Sequence, residues 1–182
     1  MPRLHRSVRI GSSTVNAIRI GKRMKKLLFQ PIVDSQSANA FLLGIVFNQN
    51  QRAERSWAAP RLLWERLETA DPGLIAHLPI STIAEGIAAS PALHPFSEGM
   101  AGYVKGVSQL LIEQYQGDAR NIWTPAVPAQ EIIDRLIAFP GIGKHKATIA
   151  LYLLVQILNV SVLDDGTQIN IRTACPNLAR VL

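Results

Sequence analysis

The residues of this sequence that could do chemistry are concentrated in the stretch Pro-Gly-Ile-Gly-Lys-His-Lys, residues 140 to 146. Gly141 and Gly143 allow a sharp turn and leave the neighbouring backbone N–H groups uncovered by a Cβ atom. A helix that begins directly after such a turn adds free N–H groups and the positive end of its dipole, and together these bind a phosphate. The stretch therefore predicts a helix–hairpin–helix that binds DNA without reading its sequence. The alternative is an ordinary corner between two helices that needs glycine only for close packing. The residues expected to contact DNA here are Gly141, Ile142, Gly143, Lys144 and Lys146.

Helices must position this hairpin, because helical periodicity dominates the chain from Ser37 onwards. Ser37 is expected to cap the first helix, and Pro60 to bend or restart the second. Asp71 is expected to cap a short third helix, and Ser81 to start a fourth. About seven or eight helices with short connections predict an all-α domain, and no strand precedes the glycines to suggest a dinucleotide site. Further helices are expected to begin at Ser97, at Pro128 and after Gly143, and a weak β-hairpin is possible within residues 7 to 20. The apolar stripe expected on the helix from Ser97 is Met100, Tyr103 or Val104, Val107, Leu111 and Tyr115.

The composition is that of a globular protein, with 48% hydrophobic and 18% charged residues among 182. The single cysteine, Cys175, excludes an internal disulfide and an all-cysteine zinc or iron–sulfur site, and it fits a reducing cytoplasm. His77, His94 and His145 lack metal-ligand spacing with carboxylates. No apolar run approaches the length of a membrane span. We therefore expect no cofactor and no membrane contact, apart from a monovalent cation that carbonyl oxygens of the hairpin could hold.

The positive charge of the chain is confined to its N-terminal part. Residues 1 to 30 hold eight basic and no acidic side chains, whereas the remainder holds 11 basic and 13 acidic ones. Such an arm either binds phosphate backbones or is a solvated tail. Met24 could also be a natural start, with residues 1 to 23 as upstream translation. The predicted organisation is a basic arm (1–30), a helical domain (31–165) and a C-terminal tail that packs on it (166–182).

The order of these segments resembles the helix–hairpin–helix DNA glycosylase superfamily, of which endonuclease III is the best-known member. The resemblance covers roughly residues 37 to 165 and is carried by three stretches. It implies an endonuclease III-like helical barrel, double-stranded DNA as partner and a nucleoid-associated cytoplasmic location, in a short bacterial branch without iron–sulfur cysteines. The three stretches are FLLGIVFNQNQRAERSW, the segment from ADPGLIAHL to LLIEQYQGD, and RLIAFPGIGKHKATIAL.

The resemblance also implies roles for side chains. The position of the family's nucleophilic lysine is held here by His145, and Lys146 lies about 100° further round the helix, so AP-lyase chemistry is not expected. His145 could still contact DNA or a flipped base, and Lys146 is expected to face phosphate or to pack its stem. The family's catalytic aspartate corresponds to Asp164 or Asp165, with Asp164 preferred, although a plain Asp-Gly turn is the alternative.

A glutamine of the family fills the gap left by a flipped base. Gln51 fits that position best and Gln49 is the alternative, with Arg52 beside them as a DNA contact; all three could instead be helix-end or solvent-facing side chains. The sequence thus predicts a monofunctional DNA glycosylase for a damaged or mismatched base. The alternatives are a non-catalytic DNA-binding module and, more weakly, a helical protein-interaction domain.

Overall fold

The computed structural model describes residues 31 to 167. Within that range the fold is all-α, as predicted: the chain forms seven α-helices and no strand, with one isolated bridge between Pro128 and Leu163. The weak β-hairpin, the basic arm and all but the first two residues of the C-terminal tail lie outside the described residues. The helices are α1 (Ser35–Phe47), α2 (Ala53–Leu67), α3 (Pro72–His77), α4 (Ile80–Ala88), α5 (Ser97–Tyr115), α6 (Ala129–Ile137) and α7 (Lys144–Tyr152). A 3₁₀-helix (Ala119–Ile122) lies between α5 and α6, and a π-helical turn (Leu153–Ile157) continues α7.

The helix starts show where short-range chemistry was read correctly. Asp71 caps α3 as expected, since its Oδ1 accepts the Gly73 N–H at 2.7 Å. The prediction that Ser37 caps α1 was wrong, because the N-cap residue is Asp34, which accepts the Ser37 N–H at 2.7 Å. Ser37 is the third helical residue of a reciprocal capping box. The prediction for Pro60 was also wrong in part, because α2 runs through it without a restart.

Two long helices organise the core. Most of α1 is buried, and α5 packs against α1, α3 and α4. The predicted stripe of α5 is confirmed for its core-facing members, while Tyr103 is more exposed and turns towards the hairpin. Asn39 on α1 joins this helix to the segment directly after α5: its Nδ2 donates to the Gly117 carbonyl and its Oδ1 accepts the Ala119 N–H, both at 2.8 Å. None of the described helices combines the length and hydropathy needed to cross a membrane.

Candidate nucleic-acid interface

The predicted hairpin is present as a tight turn between α6 and α7. The Ile142 N–H donates to the Phe139 carbonyl at 3.1 Å, which closes the turn. Gly141 has φ = +78°, a left-handed conformation that side chains rarely adopt. A Cβ at this position would also lie 2.9 Å from the ring of Tyr103. Glycine is therefore required at position 141 by backbone conformation and by packing.

The hairpin is seated on α5. A Cβ on Gly106 would lie 2.8 Å from Cγ of Pro140, so the proline ring occupies a notch that glycine leaves in the helix. The Ile142 side chain is buried in the core, and this anchors the tip of the turn from below. Ile142, predicted to contact DNA, can therefore do so only through its backbone. These contacts fix the place of the hairpin backbone relative to α5.

The start of α7 is open and uncapped. Gly143 is its N-cap residue, with no side-chain hydrogen bond to the first turn, and the first regular bond runs from the Ala147 N–H to the Gly143 carbonyl. Within residues 31 to 167 the N–H groups of Lys144, His145 and Lys146 have no acceptor. Nothing lies within 4 Å of the position of a Gly143 Cβ. The Lys144 and His145 side chains are exposed beside this opening.

The side chain of Lys146 is turned inwards, away from the open start of α7. Its Nζ donates to the Val46 carbonyl at 2.8 Å, to the Gly141 carbonyl at 3.0 Å and, more weakly, to Oε1 of Gln49 at 3.4 Å. Burial lowers the pKa of the Lys146 amine to about 8. The predicted phosphate contact of Lys146 is thus competing with three protein oxygens.

The turn after α1, residues 48 to 52, lies next to the hairpin. Gln49 is joined to it through Lys146, whereas Gln51 folds back and donates from Nε2 to the Phe47 carbonyl at 3.0 Å. The Gln51 Oε1 atom is buried and has no partner among the described residues. Asn50 at the tip and Arg52 are exposed, and Asn50 has φ = +52°. The gap-filling role of Gln51 stays a prediction, and it requires this side chain to break its hydrogen bond with the Phe47 carbonyl and turn outwards.

A third loop, residues 89 to 96, packs beside that turn and was not singled out as part of a site. His94 is buried, and its Nε2 lies 2.9 Å from the Gln49 carbonyl while the Phe96 N–H donates to its Nδ1 at 3.1 Å. Arg55 donates to the Ala92 carbonyl at 2.6 Å, and Arg66 donates to two more carbonyls of this loop and to one near the end of α4. The only sequence signal was a proline-bounded loop containing a histidine, which does not reveal its partners.

Asp164 and Asp165 lie at the other end of α6. Asp165 accepts the Gln130 N–H at 2.9 Å and so caps α6 from 35 residues away. Asp164 is exposed, and its side chain accepts the Gly166 N–H at 3.1 Å and no other donor within residues 31 to 167. Partial burial raises the pKa of Asp165, but hydrogen bonds from Thr167 and the Gln130 N–H outweigh this and hold that pKa below its usual value. Since α6 has nine residues, roughly 13 Å of helix separates the carboxylates from the hairpin.

The structure offers little to a metal ion. No cluster of three or more His, Cys, Asp or Glu side chains occurs in the described part of the chain. Of the hairpin carbonyls, Gly141 already accepts from Lys146 and Phe139 from the Ile142 N–H. Each of these carbonyls keeps a second lone pair, and a monovalent cation at the hairpin stays a prediction.

Taken together, the helix order and the helix–hairpin–helix define an all-α fold of the endonuclease III type. The comparison that shows this is with a solved structure described as "Structure of a Trapped Endonuclease III-DNA Covalent Intermediate: Estranged-Adenine Complex", at a TM-score of 0.50 and 16% sequence identity. The match covers 74% of this chain and 55% of the other, so the chain spans about half the length of that protein. No protein-family model matches the sequence, and no curated protein is similar to it.

Proposed function

We propose that this chain is a DNA base-excision repair protein that holds double-stranded DNA by its phosphate backbone and hydrolyses the N-glycosidic bond of a damaged or mismatched base. The observation that carries the proposal is the open, uncapped start of α7 beside the hairpin glycines. The shared fold with a DNA-bound endonuclease III supports it.

The electrostatics of the α7 start favour an anion. Three N–H groups and the positive end of the helix dipole point at the space in front of Gly143, and the exposed Lys144 and His145 add positive or titratable groups there. A phosphate oxygen that enters this space finds donors already in place, so little ordering is needed on binding. Contacts of this kind position the protein on a duplex without reading its sequence.

For the chemical step, Asp164 is the better carboxylate, because Asp165 is engaged in capping α6. An exposed carboxylate can orient the attacking water or stabilise the developing sugar cation. The amine that a lyase would need at position 145 is an imidazole here, so the proposed route is hydrolysis by water and not a covalent intermediate.

Two measurements test the proposal. DNA affinity of the full chain is measured on duplexes at several salt concentrations, with Lys144→Met as a charge-loss variant. Base release is then measured on a panel of duplexes that carry damaged or mismatched bases, with Asp164→Asn as the catalytic variant. We expect salt-dependent binding, release of at least one base, and loss of release but not of binding in Asp164→Asn. Binding without any base release would leave only the DNA-binding half of the proposal standing.

A non-catalytic DNA-binding module is the second candidate. The observation that favours it is that the two aspartates are used in a turn and in a helix cap, at the far end of α6 from the hairpin. Under this alternative the duplex is bound with the same salt dependence, neither the native chain nor Asp164→Asn releases a base, and Asp164→Asn has unchanged DNA affinity.

A further inference from the structure

Three separate segments meet at the amine of Lys146. Its acceptors are the Val46 carbonyl in the last turn of α1, the Gly141 carbonyl in the hairpin, and the Gln49 side chain in the turn after α1. An ammonium group has three N–H donors, and three oxygens lie around this one. Since no N–H is left over in this arrangement, a phosphate would have to displace one of these oxygens to be bound by Lys146.

The acceptors also explain why a cation is held there. The last carbonyls of a helix lack partners within that helix and lie at the negative end of its dipole, where a cation is stabilising. The last turn of α1 contains no basic residue of its own. Lys146 therefore supplies to α1, from a position 100 residues later in the chain, the charge that the end of this helix favours.

The connection continues beyond Lys146. Gln49 is held by its side chain to Lys146 and by its carbonyl to His94, and the other nitrogen of His94 accepts the Phe96 N–H. A continuous path of hydrogen bonds thus runs from the hairpin at Gly141, through the turn after α1, to the loop before α5. The three segments are far apart in sequence, and two of them, the hairpin and the turn after α1, are candidate DNA contacts.

We propose that Lys146 is a positioning residue, which ties the hairpin to the turn at residues 48 to 51 so that both segments meet a DNA duplex in one fixed relationship. The statement about DNA rests on the proposed function; the tie between the two segments does not. Lys144, two residues earlier, is exposed and makes no such tie, so it serves as the matched control.

The first experiment uses no DNA. Amide hydrogen exchange is measured in the full chain, in Lys146→Met and in Lys144→Met. In Lys146→Met we expect exchange of the hydrogen-bonded amides of the two segments, Asn48 and Gln49 in the turn and Ile142 in the hairpin, to accelerate by about tenfold or more relative to the peptides of α5. Lys144→Met should show no such change. If Lys146→Met is too unstable to study, Lys146→Gln, which keeps an N–H donor on a shorter stem, is used, and the same pair of segments should loosen. Unchanged exchange in either segment would overturn the proposal that Lys146 links the hairpin to the turn after α1.

The second experiment compares DNA affinity across salt concentrations. Loss of a phosphate contact in Lys144→Met should reduce the slope of log affinity against log salt by about 0.9. Lys146→Met should weaken binding about equally at every salt concentration and leave that slope unchanged, and Lys146→Arg should recover part of the affinity. A slope reduced by about 0.9 in Lys146→Met would overturn the proposal and make Lys146 a phosphate contact. If no variant and no native chain binds DNA, the proposed function fails, and the exchange experiment still decides the tie.

Discussion

Replacing Gly143 by aspartate should raise the stability of the protein and lower its affinity for DNA. Gly143 has φ = −89° and ψ = 175°, the extended conformation of an N-cap residue, and a new Cβ meets nothing within 4 Å. An aspartate can therefore be accommodated without strain. Its carboxylate should accept from the free N–H groups of the first turn of α7 and occupy the space that we assign to a phosphate.

The two magnitudes follow from the same geometry. An aspartate cap is worth a few tenths of a kcal/mol more than glycine, about 0.3 kcal/mol. A negative charge at a helix start adds about 0.3 to 1 kcal/mol. The sum of about 1 kcal/mol corresponds to a melting temperature higher by roughly 2 to 4 °C for a chain of this size. Loss of a charge-assisted hydrogen bond to phosphate, at about 1.5 kcal/mol or more, corresponds to an affinity lower by about tenfold or more.

The assay is thermal unfolding together with DNA titration at two salt concentrations, with Gly143→Ser as the control. Serine offers a neutral cap and adds no negative charge, so it should change stability little and weaken DNA binding less than aspartate does. Higher stability with unchanged DNA affinity would show that no phosphate binds at this helix start. Lower stability would show that the N–H groups of α7 are not available to a cap, and the reasoning would fail at its first step.

Three further predictions, on Gly106, Asp165 and Lys146, test how the site is supported. Gly106→Ala places a methyl group 2.8 Å from the hairpin proline and should weaken DNA binding, whereas Gly102→Ala on the same helix meets nothing within 4 Å and should stabilise the protein by about 1 kcal/mol; calorimetry and titration check both. Asp165→Asn should lower stability at pH 7 by about 0.3 to 1 kcal/mol, because an amide oxygen can still accept the Gln130 N–H but the negative charge at the start of α6 is lost, and Asp164→Asn should have a smaller effect. The pKa of Asp165 is lowered in the folded state, so its ionised carboxylate stabilises the folded protein above the unfolded pKa. This stabilisation is lost as pH falls through the folded pKa. The difference in free energy of unfolding between the native chain and Asp165→Asn, measured in urea, should therefore vanish in acid. For Lys146 the pH dependence concerns the alkaline range. Its folded pKa of about 8 lies below the unfolded value, so between about pH 8 and 10.5 the unfolded chain binds more protons than the folded one. The free energy of unfolding should therefore rise over that range in the native chain but not in Lys146→Met.

Sequence patterns predicted the helices well because helical periodicity and turn chemistry are local. The glycine hairpin, the Asp71 cap and the buried stripe of α5 each depend on residues within a few positions of one another. The cap of α1 was misplaced by three residues, since Asp34 and Ser37 are both good caps and only the backbone shows that they cap each other. Boundaries decided by such competition are beyond a single sequence.

The candidate site was harder to predict because its decisive contacts are long-range. Nothing near Lys146 in the chain indicates that its amine meets α1, and nothing near Asp165 indicates that it caps α6. In both cases a charged side chain that suggests chemistry is engaged by backbone groups of a distant helix. A backbone carbonyl or N–H carries no sequence signal, so a side chain that serves one of them looks the same in sequence as a side chain free for catalysis.

The charges at the start of α7 favour the proposed phosphate contact over a purely structural role of the hairpin. Helices α2, α4 and α5 also lack a side-chain cap. Glu54 and Glu98 lie in the first turns of α2 and α5, where their charge favours the helix dipole, and the first turn of α4 carries no charge at all. The first turn of α7 has no acidic residue and instead carries two lysines and a histidine, which the dipole disfavours. The contact with α1 accounts for Lys146 but not for Lys144, whose charge lies at the positive end of the helix with no ion pair to any residue between 31 and 167. A corner built only for packing would gain stability from an acid at this position. A helix start that holds cations around free N–H groups is stabilised when an anion binds there, and this is the physical basis of the phosphate contact that we propose.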